Sequence, residues 1–382
     1  MVTRTDIAVI GAGLAGAACA RALARAGFRV TVFEAAAEPA TGASGNPIGI
    51  LHPLVSRDHN LASQLVELGM AKTLEWLELV NPIALSKGMG PVGKSCGVLQ
   101  LNESGDDLVQ WDPKGAWIKP RRFVETCLVD AQAHGARVHF ERPIAELTDD
   151  GALIFQDCIS RKFDAVVVCN ASQMESLLPS CELALNAIRG TVSRYQVSVQ
   201  DSLPCVICAS GYATPVVEGE MVVGASYERL PAVVGEAGPR LGIDATVSGG
   251  ESPREVSGHD DAVSNLDRLS IIDSRLAAIC AGLPARDRTS IRSATLDRMP
   301  HVGRVLDTRV MLKPSVSQLH QMPRNERIWV LGGLGSRGLS FAPLGAEIIA
   351  AQMAGQPLPI SDRLAGAIDP VRFALRRHQR RK

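Results

Sequence analysis

The first chemistry legible in the chain is phosphate binding. Gly11-Ala12-Gly13-Leu14-Ala15-Gly16 follows the apolar run Asp6–Ile10, and Glu34 stands 18 residues after Gly16. Gly11 permits a tight turn, Gly13 lets a pyrophosphate approach the backbone, and Gly16 lets a helix pack closely on a strand. The free N–H groups and positive dipole end of such a helix suit phosphate. Glu34 is placed to accept hydrogen bonds from both ribose hydroxyls and to repel a 2′-phosphate, which disfavours NADP. FAD and NAD share this pattern, and two further stretches separate them. Thr41-Gly42-Ala43-Ser44-Gly45-Asn46-Pro-Ile-Gly49 cannot be an ordinary third Rossmann helix and reads as a loop that lets a large planar group approach backbone amides. Gly332-Gly333-Leu-Gly335-Ser336-Arg337-Gly338 joins the apolar run Ile328–Leu331 to a predicted helix Ala342–Ala354. A helix N-terminus there stabilises the negative charge that develops at the pyrimidine end of a reduced isoalloxazine. The pattern favours FAD.

These turns must be held by a parallel sheet. Asp6–Ile10 and Arg29–Phe33 read as its first strands, separated by an alanine-rich helix that Gly27 stops. Runs at Ala136–Phe140 and Ala165–Cys169 complete it, with a helix over Arg122–His134 packed on one face. Alternating runs at Gly97–Leu101, Thr191–Val199, Val206–Cys208 and Met221–Gly224 suit an antiparallel sheet roofing the cofactor. Residues 232–258 are rich in Gly, Pro and Ser and read as a loop. A helix over Ala262–Ala281 follows, and no internal repeat is visible.

Composition narrows the class. With 46% apolar and 21% charged residues, the chain is neither disordered nor fibrous. Lys plus Arg (40) cancels Asp plus Glu (40), so nucleic-acid binding would have to come from a local basic patch. Aromatic residues are scarce and glycine abundant, which favours α/β over an all-β sandwich. No apolar run approaches the ~18 residues of a membrane helix, and the N-terminus lacks the pattern of a secretory signal. Nine scattered cysteines read as reduced thiols in a cytoplasmic protein. Cys205 and Cys208 are the one close pair, read as two buried residues on a strand, and no histidine spacing suggests a metal.

The chain resembles the D-amino-acid-oxidase-like family of flavoproteins, which includes glycine and sarcosine oxidases, and within it the FAD-dependent half of the MnmC-type tRNA-modifying enzymes. The likeness rests on Gly42-Ala-Ser-Gly-Asn46, His52-Pro-Leu-Val-Ser-Arg-Asp58, Cys96–Leu101, Ile188-Arg-Gly190, Gly211–Pro215 with Val223–Ala225, Arg292–Gly303, Gly335–Leu339 with Ala342-Pro343, and Asp369–Phe373. It implies an α/β fold with a discontinuous Rossmann-type FAD-binding domain (1–90, 115–175 and 325–360). An antiparallel-sheet substrate domain (91–114 and 176–324) and a basic tail (361–382) make up the rest. It implies non-covalent FAD, with no cysteine in the Gly332–Leu339 turn to link it. The cofactor residues are Gly11, Ala12, Gly13, Ala15, Gly16, Glu34, Ala43, Ser44, Asn46, Ile144, Asn170, Ala171, Gly333, Gly335, Ser336, Gly338 and Leu339. Asn170-Ala171-Ser172 departs from the Asn-Gly usual in related flavoproteins. The fused enzymes carry a methyltransferase domain ahead of this half, whereas this chain starts at the first strand, which leaves room for a separate methyltransferase partner.

The resemblance also assigns Arg292 to the substrate carboxylate, for which a guanidinium fork is suited; the alternative is a structural ion pair with Asp297. Arg337 pairs with flavin or substrate. Tyr212 and Tyr227 are hydroxyl donors or packing residues, and His52 touches the ligands or caps a turn. From Val371 to Lys382 six cations (Arg372, Arg376, Arg377, Arg380, Arg381, Lys382) stand without an acid. As six phosphate contacts they would give tRNA binding a log–log salt slope of about −4 to −5; as a frayed terminus they would merely be solvated. Lys114, Lys119, Arg121 and Arg122 form a second basic cluster. The expected activity is removal of the carboxymethyl group of 5-carboxymethylaminomethyl-2-thiouridine at the tRNA wobble position, leaving 5-aminomethyl-2-thiouridine and glyoxylate. The alternatives are an oxidase of a free amino acid and a non-catalytic FAD-holding partner of a methyltransferase.

Overall fold

The structure, a computed structural model, describes residues 5–102, 108–230, 232–235, 238–241 and 259–380. Its first sheet has six strands in the order His301–Leu306, Arg324–Gly332, Ala165–Val168, Asp6–Ile10, Arg29–Phe33, Arg137–His139. All neighbours are parallel except the first pair. Ile10 is level with both Phe33 and Val168, and Val168 with Val330, so the Gly11, Asn170 and Gly332 turns leave the sheet at one edge. Ligands of open α/β sheets bind beyond the carboxyl ends of the strands.

The helix Leu14–Arg25 is buried along almost its whole length against the helices Pro120–Ala133 and Gly338–Ala354. Its alanines and Gly16 permit that closeness; a Cβ on Gly16 would lie 1.8 Å from the Gly11 carbonyl oxygen. The C-terminal glycine turn begins its helix at Gly338, four residues earlier than the sequence suggests. Pro343 has no N–H to give the Leu339 carbonyl. The Thr73 hydroxyl on the helix Leu61–Ser86 donates to that carbonyl at 2.7 Å instead, and Gly69 on the same helix admits Ser340.

The second sheet runs Glu228–Arg229, Leu185–Gln196, Glu220–Gly224, Tyr212–Ala213, Val206–Cys208, Val98–Leu101, Leu108–Asp112, and Arg286–Thr295 also pairs with Leu185–Gln196 along residues 185–194. It is antiparallel as expected, save that Val206–Cys208 and Val98–Leu101 run parallel. Three expectations need correction. His301–Leu306, placed with the substrate unit, is the edge strand of the first sheet. The helix over Ala262–Ala281 is two helices, His259–Ile272 and Ser274–Ala281, because Asp273 leaves helical geometry and caps the second by accepting from the Leu276 N–H. Of the supposed loop 232–258, Ala232–Gly235 and Gly238–Leu241 form a two-stranded ribbon, and the remainder lies outside the described residues.

Candidate active site

A cavity of about 480 Å³ opens where the carboxyl edge of the first sheet meets the second. Gly13, Leu14 and Ala15 border it from the first turn, Ala43, Ser44 and Asn46 from the small-residue loop, and residues 331–340 from the last turn. Tyr212, Tyr227, Arg292 and Ser293 close it from the second sheet, with His52 and Gln100 at one side. The loop reaches the first helix through Ser44, whose Oγ accepts from the Leu14 N–H at 2.9 Å. Glu34 sits at the end of its strand, one carboxylate oxygen accepting from the Ala12 N–H at 2.6 Å and the other from Ala36 at 3.0 Å.

Most of the residues singled out by sequence meet here. Ala171, Gly333, Gly335, Ser336, Gly338 and Leu339 line the cavity. Gly11, Ala12, Gly16, Glu34, Asn170 and Ile144 are not among its lining residues, and Ile144 starts the strand Ile144–Leu147 of a separate three-stranded sheet. The Asn170 Oδ1 atom is buried without a hydrogen-bond partner among the described residues. A Cβ on Gly11 would press within 3.0 Å of the Cys169 carbonyl oxygen, and one on Gly13 within 3.0 Å of Ser44 Oγ. A glycine-lined cradle, an acid beyond the first turn and an unanswered buried acceptor suit FAD.

Among the described residues the cavity lining carries two guanidiniums, Arg292 and Arg337, and no carboxylate. Arg292 lies level with Ile188 on the neighbouring strand, and a Cβ on Gly190 would stand 2.7 Å from its Nη2, so Gly190 makes the room the guanidinium occupies. Arg292 Nη1 donates to Ser336 Oγ at 3.3 Å. Burial lowers its pKa, while the nearby Tyr212 and Tyr227 phenols act in the other direction. Arg337 Nη1 donates to the His52 carbonyl at 3.1 Å, and its pKa is lowered by burial and then by the charge of Arg298. The Tyr212 phenol is pushed up to about 12 by burial, so it stays a neutral donor. Tyr227 is 53% exposed at the cavity, which excludes the packing alternative for it.

Gln100, unmarked by the sequence reading beyond its place in a motif, gives His52 its state. The Gln100 amide nitrogen donates to the Leu101 and Cys208 carbonyls, so its oxygen faces His52 Nε2 at 2.8 Å and that nitrogen carries the proton. Burial lowers the His52 pKa, keeping the ring neutral.

The alternative for Arg292, an ion pair with Asp297, does not form. Asp297 is taken by Arg372 through Nε at 2.9 Å and Nη2 at 2.8 Å, and by Arg376 at 3.0 Å. Burial would raise the Asp297 carboxyl, but Arg372 overrides it and holds the group at about 2. The basic tail is therefore a correction: residues 362–380 carry two helices, Asp362–Ile368 and Arg372–Arg380. Arg372 is only 3% exposed and Arg377 pairs with Glu182, so three of the six cations already hold carboxylates, and the expected salt slope loses its basis. Arg381 and Lys382 lie outside the described residues. Three of the four cations of the second basic cluster are likewise engaged, Lys119 and Arg122 with Glu218 and Arg121 with Glu38. Cys205 and Cys208 are buried about the strand Val206–Cys208. Among the described residues no group of three or more His, Cys, Asp or Glu is placed to hold a metal, and no helix is long and apolar enough to cross a membrane.

Comparison with known proteins agrees with this architecture. The family model described as FAD dependent oxidoreductase, DAO, matches residues 6–112 and 109–352. The tRNA 5-methylaminomethyl-2-thiouridine biosynthesis bifunctional protein MnmC of Burkholderia orbicola is 30% identical over 98% of this chain. The chain spans 61% of that relative's length. Among solved structures, glycine oxidase from Bacillus cereus superposes with a TM-score of 0.70 at 16% identity, over 95% of this chain and 98% of that one. Fructosamine oxidase from Aspergillus fumigatus does so with a TM-score of 0.72 at 15% identity, over 97% and 90%.

Proposed function

Because the chain belongs to the DAO family of FAD-dependent oxidoreductases, we propose that it removes the carboxymethyl group from 5-carboxymethylaminomethyl-2-thiouridine at the tRNA wobble position, releasing glyoxylate and leaving 5-aminomethyl-2-thiouridine. The observation that carries the reading is the cavity's pair of guanidiniums with no carboxylate among its lining residues. The modified base ends in CH2–NH–CH2–COO−, an N-substituted glycine, and its anion matches a fork-shaped cation. The relationship to a tRNA-modifying enzyme over nearly the whole chain supports the nucleic-acid substrate over a free amino acid.

FAD, bound without a covalent link, would supply a two-electron acceptor for the hydrogen of the carboxylate-bearing carbon; one water molecule then hydrolyses the resulting C=N bond, its oxygen leaving in glyoxylate and the nitrogen staying on the base as the aminomethyl group. Gly11, Gly13 and Gly16 shape the turn for its pyrophosphate, Glu34 takes ribose hydroxyls, and Ala43, Ser44, Asn46 and Gly333–Leu339 flank its ring system. Arg292 fixes the substrate carboxylate so that the neighbouring methylene has one orientation. The Tyr212 hydroxyl, protonated at every working pH, donates beside it. Arg337 keeps the cavity electropositive, and neutral His52 adds no competing cation. The second sheet and Tyr227 narrow the entrance against water. The reading places the protein in the cytoplasm with tRNA.

Mass analysis of wobble nucleosides in bulk tRNA, before and after incubation with the purified yellow protein, tests this directly. The expected result is loss of the carboxymethylaminomethyl nucleoside, gain of the aminomethyl nucleoside and equimolar glyoxylate. Glyoxylate release from glycine or sarcosine with unaltered tRNA would reassign the enzyme to free amino acids. Acid precipitation should leave all FAD in the supernatant.

A further inference from the structure

Arg288 lies on the strand Arg286–Thr295, four residues before Arg292, so the two share one face with Ser290 between them. Its guanidinium meets no carboxylate among the described residues. Nε donates to the Gly45 carbonyl at 2.9 Å, and Nη2 donates to the Thr41 carbonyl at 3.0 Å and the Gly42 carbonyl at 2.7 Å. These three acceptors bracket the loop whose Ala43, Ser44 and Asn46 border the cavity. Gly45 is required for the fit, since a Cβ there would stand 2.3 Å from Arg288 Nη2. Ser290 Oγ touches Asn46 Oδ1 at 3.4 Å, and Arg292 reaches Ser336 in the other cofactor turn. One strand face thus grips both cofactor turns and holds the carboxylate clamp.

We infer that Arg288 is a positioning residue that latches the 41–45 loop to the clamp strand, so that FAD affinity and carboxylate affinity are coupled. The physical reason is the state of the loop. Small residues without a hydrophobic anchor leave it many conformations, and three charge-assisted bonds from one rigid fork select a single one. Burial and the like charges of Arg194 and Arg121 lower the Arg288 pKa, so the cation is held at a cost that the loop carbonyls offset. Because the same strand carries Arg292, a carboxylate that stiffens the strand also stiffens the loop. Linkage then requires FAD to tighten carboxylate binding by the same factor.

The coupling rests on the clamp reading of Arg292, whereas the latch itself does not, and the experiment separates them. Purified holoenzyme, R288M, R288K and R292M are compared for FAD dissociation constant by recovery of free-flavin fluorescence on dilution, with and without saturating acetate. R288M should raise the constant at least about tenfold and R288K by less, since an ammonium reaches only some of the three carbonyls. The melting temperatures of the apo forms should stay together, because the latch acts on the loop. R292M should hold FAD within about twofold of wild type. Acetate should tighten FAD several-fold in wild type and leave R288M and R292M unchanged. Wild-type FAD affinity in R288M overturns the latch; if R288M fails to fold, the same affinity in R288K does so. Acetate that perturbs the flavin spectrum without changing FAD affinity overturns the coupling alone, and acetate that perturbs neither overturns the clamp reading.

Discussion

Two regions of this molecule treat the same side chain in opposite ways. In the cavity, Arg292 and Arg337 donate to a hydroxyl and a backbone carbonyl and face no lining carboxylate. On the C-terminal helix, Arg372, Arg376 and Arg377 each hold a carboxylate, and Arg372 is as buried as a core residue. A buried guanidinium is costly unless an anion answers it. Where the protein provides that anion, or a set of backbone carbonyls as for Arg288, the arginine is scaffold; the cavity arginines have one such bond each, which is why a ligand anion is proposed for them. Asp297 shows the division at close range. It is five residues from Arg292 in sequence, yet Arg372 and Arg376 occupy it and leave Arg292 available.

The sharpest way to break this contrast is R372M, which strips the buried partner from Asp297 and leaves it only the exposed Arg376. Unfolding in denaturant should show a loss of about 3–5 kcal/mol, and a loss below about 1 kcal/mol would mean that the pair is not structural. Wild-type stability should also fall with pH in a defined window. The Asp297 carboxyl sits at about 2 in the folded state against an ordinary 3.8, so its contribution is complete above 3.8 and vanishes as pH drops through 2. In R372M that component should shrink, because Arg376 and the Met299 N–H remain to favour the carboxylate.

On the ligand side, R292M should cut kcat/KM for the amine substrate about 100-fold while FAD content stays unchanged. An equal loss of FAD would make Arg292 scaffold after all. G190A should act through the same guanidinium, because its Cβ would fall 2.7 Å from Arg292 Nη2. We expect about a tenfold rise in KM, restricted to substrates bearing a carboxylate. A uniform effect on substrates with and without the carboxylate would point to general disorder of the strand. The smallest effect belongs to R377A. Its pair with Glu182 is more than half exposed on the arginine side, so stability should change by less than about 1 kcal/mol.

The glycine turn at residues 11–16 was legible from the chain because its demands are local. A positive φ of 98° at Gly11 and a backbone contact at Gly16 are met only by glycine, and the strand and helix around them announce themselves by apolar pattern. The same holds for the last turn, with positive φ at Gly333 and Gly335. The break at Asp273 was missed because apolar spacing runs on through it, and only the cap geometry shows the second helix starting there. Arg288 escaped notice because its worth depends on three carbonyls more than 240 residues away. The alternation Arg288–Ser290–Arg292 was the one signal that could have found it.

The chain by itself thus settled the cofactor-binding architecture and supplied a surplus of arginines. Tertiary structure decided which of them are available, since Arg372 meets Asp297 across 75 residues of sequence. Backbone geometry is written in neighbouring residues, whereas the value of a charge is set by whatever folding brings within hydrogen-bonding distance and removes from water.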